Sequence, residues 1–118
     1  MSLFKRGTFR LHSGVASDFK IDCDALTDDD IHTLALLVSK TFNFSRVIGI
    51  PRGGLWLAAA LAPLHNADSH VTLIVDDVLT TGGSMERAYV PGAIGVVIFA
   101  RGKCPAWITP IFQMWDQP

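Results

Sequence analysis

The spacing of apolar side chains changes several times along this 118-residue chain, and each change marks an element. Apolar and polar residues alternate over 7–13 and over parts of 18–23, with Ser13 and Gly14 in the connection. The N-terminal piece therefore reads as two short strands in a hairpin-like arrangement. Thr27 ahead of Asp28, Asp29 and Asp30 is a helix start. Ile31, Leu34, Ala35, Val38 and Phe42 then recur at helical spacing, which predicts an amphipathic helix over 28–42. Strands are predicted at 47–50, 71–75, 93–99 and 107–112. An Ala-rich helix at 55–64 and a brief helix at 83–89 fall among them. Strands alternating with helices predict an α/β fold: a small parallel, Rossmann-like sheet with flanking helices and right-handed crossovers. The length fits a single domain over residues 1–118.

Sheets of this kind bind ligands beyond the carboxyl ends of their strands. Two segments fall there. Ile50, Pro51, Arg52, Gly53 and Gly54 close the first core strand; Asp76 and Asp77 close the second, followed by Val-Leu-Thr-Thr-Gly-Gly-Ser. Paired carboxylates accept hydrogen bonds from ribose hydroxyls and offer hard oxygens to Mg²⁺. Strand side chains alternate between faces, so the strand is expected to end near Asp77 if both acids are to serve one ligand. Thr80, Thr81, Gly82, Gly83 and Ser84 can surround a phosphate with N–H and O–H donors. In isolation these five residues would better suit an ordinary helix start capped by Thr or Ser, but the acids and apolar strand ahead of them favour the phosphate. Arg52 offers a planar fork of donors, although Pro-x-Gly-Gly after a strand is also common turn chemistry.

Composition removes several classes. Apolar residues make up 49% and charged residues 18%, which excludes a disordered chain. The net charge is −1 with no basic stripe, so no nucleic-acid partner is expected. No long apolar run follows Lys5 and Arg6, so neither a signal peptide nor a membrane span is expected, and a cytoplasmic protein follows. Cys23 and Cys104 stand far apart without metal-ligand spacing and read as two free thiols. His32, His65 and His70 read as surface residues. Trp56, Trp107 and Trp115 suit either a core or an interface.

The stretch Val-Asp-Asp-Val-Leu-Thr-Thr-Gly-Gly-Ser at 75–84 resembles the phosphoribosyl pyrophosphate motif of type I phosphoribosyltransferases. Gly-Ile-Pro-Arg-Gly-Gly at 49–54 resembles that family's pyrophosphate loop. Within the family the likeness is to orotate phosphoribosyltransferase: residues 7–14 resemble its Gly-x-Phe-x-Leu-x-Ser-Gly segment. Ile-Phe-Ala-Arg at 98–101 resembles its strand end bearing a base-recognising arginine. The resemblance runs from about residue 4 to about residue 104.

It implies that Asp76 and Asp77 form the catalytic centre, binding the ribose hydroxyls directly or through Mg²⁺. It further implies that residues 80–84 hold the 5′-phosphate and that Ile50, Pro51, Arg52 and Gly53 meet the pyrophosphate. His12, Ser13 and Arg101 would meet the base. Arg101 suits a surface position equally well, and His12 stands where the orotate enzymes often carry a lysine. The implied activity is transfer of a phosphoribosyl group to a nitrogenous base, with orotate favoured, by a homodimer. One departure weighs against turnover. Family members place a long basic mobile loop ahead of the acidic motif, whereas here Leu64 and Val71 are separated by His-Asn-Ala-Asp-Ser-His, with no Lys or Arg beyond Arg52 until Arg87. A catalytically inactive phosphoribosyl- or nucleotide-binding module is therefore the alternative, and a structural protein on the same fold a third possibility.

Overall fold

The computed structural model describes residues 2–10 and 16–114. Strands β1 (Phe4–Arg10) and β2 (Ala16–Ile21) form an antiparallel pair with an irregularity between Arg6 and Phe9. A short 3-10 turn at Cys23–Ala25 leads to helix α1 (Asp28–Thr41). Its N-terminus carries a reciprocal cap: Asp30 N–H donates to Thr27 Oγ1 at 3.1 Å, and Thr27 N–H donates to Asp30 Oδ2 at 2.9 Å. Then come β3 (Arg46–Gly49), α2 (Leu55–Leu61) with a 3-10 extension at Ala62–Leu64, β4 (Thr72–Leu79), α3 (Gly83–Ala88), β5 (Ile94–Ala100) and β6 (Ile108–Gln113). The four later strands form one parallel sheet in the order β3-β4-β5-β6. No helix among the described residues is long and apolar enough to cross a membrane.

Two apolar clusters sandwich the sheet. Leu73, Val75, Val96 and Ile98 pack on one face with Ile31, Leu34, Ala35 and Val38 of α1 and Leu57 and Leu61 of α2. Ile74 and Val97 pack on the other face with Ile50, Met85 of α3 and Ile108. This alternation is the period-two pattern of a sheet covered on both sides. The β5–β6 connection contains no helix. It crosses the α3 face, where Trp107 and Cys104 pack against the cluster. Trp107 lies edge-on to Tyr89 at 4.7 Å and donates to Glu86 Oε1 at 3.3 Å. Trp56 is exposed, and Trp115 lies outside the described residues.

The expectation of uniformly right-handed crossovers fails. The steps β3→β4, β4→β5 and β5→β6 all move in the same direction across the sheet. The last two pass over the α3 face, but α2 lies on the opposite face with α1. The β3–α2–β4 unit therefore has the opposite hand to the two units that follow. Since parallel crossovers are almost always right-handed, β3–α2–β4 is the exceptional, left-handed one. A right-handed path from β3 through α2 would lead to a strand on the free edge of β3. The chain instead takes residues 65–71 straight into β4, with no strand or loop excursion between.

Candidate functional site

The two motifs meet at the carboxyl rim of the sheet. β3 pairs with β4 only as far as Gly49 opposite Val75, so the chain turns away just before the acids. The turn is tight. Ile50 N–H donates to the Val75 carbonyl at 2.9 Å, Gly54 N–H to Ile50 at 2.8 Å and Leu55 N–H to Arg52 at 3.1 Å. The peptide between Pro51 and Arg52 is cis. Ile50 is buried beneath the loop, while Pro51, Arg52 and Gly53 are exposed. Gly53 lies directly against Asp77: a Cβ built there would stand 2.5 Å from Asp77 Oδ1. Gly54 is just as confined, since a Cβ there would stand 2.7 Å from the Ile50 nitrogen.

The expected end of the strand at Asp77 is not observed. β4 runs on to Leu79, because β5 continues beside it to Ala100. What changes at the acids is the alternation. Leu73 and Val75 belong to the α1/α2 face, yet Val78 packs on that same face and Leu79 on the other. Ile98 and Phe99 of β5 likewise both belong to the α1/α2 face. This slip lets neighbouring carboxyl groups approach each other within a continuing strand. Asp77 N–H donates to Asp76 Oδ1 at 2.8 Å, and Val78 N–H donates to Asp77 Oδ1 at 2.7 Å. Burial, followed by the Asp77 carboxyl beside it, pushes Asp76 up to about 7. Burial and the neighbouring Asp77 push the Cys23 thiol up to about 12, which leaves it unreactive. Both cysteines are free.

The turn after β4 uses Gly82 in the left-handed region, at φ +85°, to enter α3. Gly83 N–H donates to Thr81 Oγ1 at 3.4 Å, and the Thr81 and Ser84 side chains face solvent. On the far side, Arg101 N–H donates to the Leu79 carbonyl at 2.8 Å. Gly102 abuts the Thr80 carbonyl, where an added Cβ would stand 2.9 Å away. The structure thus brings 50–54, 76–77, 80–84 and 101 to one rim. His12 and Ser13 lie outside the described residues. His32, His65 and His70 are exposed, as expected. Arg87 was not singled out from the sequence, yet its Nη2 donates to Ser84 Oγ at 3.4 Å, within the turn. The available signal was its spacing, three residues after Ser84 on a helix.

Among the described residues, no group of three or more His, Cys, Asp or Glu side chains forms a self-sufficient metal cage. The acid pair nevertheless fits Mg²⁺. That ion commonly binds one or two carboxylates and completes its shell with substrate oxygens and water. Two adjacent, partly buried carboxyl groups form a hard-oxygen donor set whose mutual repulsion a divalent cation would relieve.

No family model matches the chain. An orotate phosphoribosyltransferase from Staphylothermus marinus is 33% identical over 113 residues, a match covering 73% of this chain and 56% of that protein. The chain thus spans about half the length of the curated relative it matches. As 73% of 118 residues falls well short of 113, the aligned span includes residues of the relative with no counterpart here. The crystal structure of orotate phosphoribosyltransferase from Aeropyrum pernix superposes with a TM-score of 0.73 at 26% identity, covering 94% of this chain and 88% of that one. The crystal structure of APRTase from Giardia lamblia complexed with 9-deazaadenine shares the fold alone, at TM-score 0.61 and 16% identity, covering 93% of this chain and 94% of that one. With the motifs on one rim of this sheet and these relatives beside it, the chain belongs to the type I phosphoribosyltransferase family, with an orotate phosphoribosyltransferase-like character.

Proposed function

We propose that this protein binds phosphoribosyl pyrophosphate with Mg²⁺ and transfers its phosphoribosyl group to a ring nitrogen of a base, orotate being favoured. The contact between Gly53 and Asp77 carries the reading, because it joins the pyrophosphate loop to the ribose-binding acids. In the reaction a bond forms from the base nitrogen to ribose C1, and the bond from C1 to the pyrophosphate oxygen breaks. Pyrophosphate leaves with the electron pair, and the base gives its proton to solvent. Asp76 and Asp77 hold the ribose hydroxyls and favour positive charge on the sugar. The 80–84 turn fixes the 5′-phosphate, Arg52 faces the leaving group and Arg101 the base. Mg²⁺, when bound, supplies positive charge to the pyrophosphate oxygens. Exposed Leu36 and Leu37 on α1 and Leu55 and Trp56 on α2 support a homodimer.

The test mixes protein, Mg²⁺, phosphoribosyl pyrophosphate and a panel of bases and measures pyrophosphate release. Release with orotate supports the reading, and no release with any base removes the enzyme. One observation favours a second reading, a binding module without turnover. The short 65–71 connection leaves the leaving-group side without a basic cover, and cover excludes water from a cationic sugar. Calorimetry that finds tight, Mg²⁺-dependent binding beside absent turnover selects the module.

A further inference from the structure

The turn at 80–84 offers neutral donors to a phosphate, and α3 behind it is only six residues long. A helix that short adds little dipole, so a phosphate dianion there needs charge from elsewhere. Arg87 is placed to give it. From the last turn of α3 its guanidinium folds back over the start of the helix. Nη2 lies 3.4 Å from Ser84 Oγ, and Nη1 lies 3.2 Å from where a Cβ on Gly83 would stand. The bare backbone of Gly83 is what leaves the guanidinium room. Its neighbour Glu86 is turned away and accepts from Trp107. Among the described residues, no carboxylate lies within ion-pair distance of Arg87.

We infer that Arg87 is a phosphate-binding residue of this protein, its planar fork supplying the positive charge that fixes the 5′-phosphate of the phosphoribosyl group. The inference rests on the reading of the rim as a phosphoribosyl site. It adds to that reading a residue outside the resembling motif and a source of selectivity for phosphorylated over unphosphorylated ribose. An arginine can give two parallel hydrogen bonds to phosphate oxygens, which a lysine cannot.

The test measures binding of phosphoribosyl pyrophosphate, ribose 5-phosphate and inorganic pyrophosphate to wild type, Arg87→Gln and Arg87→Lys by calorimetry with Mg²⁺ present. Arg87 is exposed, so both variants keep the fold, which circular dichroism checks. A hydrogen bond to a charged group is worth enough for roughly a 10- to 100-fold effect. Arg87→Gln is expected to weaken both sugar phosphates by that factor and to leave pyrophosphate unchanged, with Arg87→Lys recovering part of the loss. Wild-type affinity for both sugar phosphates in Arg87→Gln, or an equal loss for pyrophosphate, overturns the inference alone. If wild type binds neither sugar phosphate, the phosphoribosyl reading falls and this inference with it.

Discussion

Gly53 leaves no space for a side chain, and that fixes where Asp77 stands. In Gly53→Ala the new methyl group and the Asp77 carboxylate cannot both keep their places. Because residue 53 is exposed, the core is spared and the effect falls on the rim. The variant is expected to melt near wild type yet bind phosphoribosyl pyrophosphate at least about tenfold more weakly, a factor worth about 1.4 kcal/mol; calorimetry beside thermal melts checks both. Asp76 predicts a pH dependence. Its folded value of about 7 lies above the ordinary 3.8, so the folded state holds an extra proton between those limits. Stability from that proton is complete below the ordinary value and is lost as pH rises towards 7. Asp76→Asn removes the loss. With metal chelated, the variant should match wild type near pH 4 and exceed it at pH 8. Discounted for partial solvation, the gain is about 1–2 kcal/mol by urea unfolding. Wild type gaining stability relative to the variant between pH 5 and 8 would contradict this. Both acids were legible in the sequence because their chemistry is local, whereas the approach of their side chains depends on a slip in alternation that no residue type announces.

At the scale of elements, the helices and strands were readable wherever one period dominated. The Thr27–Asp30 cap and the row Ile31, Leu34, Ala35, Val38 define α1, and all four apolar residues of that row are buried. β4 was read too short because its last residues include two acids, a composition that looks like a turn. Pairing with β5, a neighbour distant in sequence, decides otherwise. The joint between β5, β6 and α3 makes a prediction of its own. Gly95 is buried where an added Cβ would stand 2.9 Å from Ile108, Met85 and Trp107 atoms at once. Three packed neighbours cannot all yield, so Gly95→Ala should destabilise by about 1–3 kcal/mol through overpacking. A drop in thermal midpoint with pyrophosphate-loop binding intact is the expected result, and an unchanged midpoint would show that the joint yields freely.

At the scale of the molecule, the sequence disclosed the parallel sheet but not the hand of its first crossover. Periodicity tells which side of a helix is apolar; it does not tell which face of a sheet receives it. The reversed hand bears on how the fold tolerates added chain. Helix α2 already lies on the side from which an ordinary right-handed path would reach the outer edge of β3, so the scaffold keeps a berth for one more strand there. Grafting a strand and basic loop from a longer relative between Leu64 and Val71 should therefore extend the sheet without displacing α2 or β4. The graft is expected to preserve the thermal midpoint within a few degrees and to raise pyrophosphate release with orotate. A chimera that unfolds would mean that the shortened connection has become essential to the way this sheet closes.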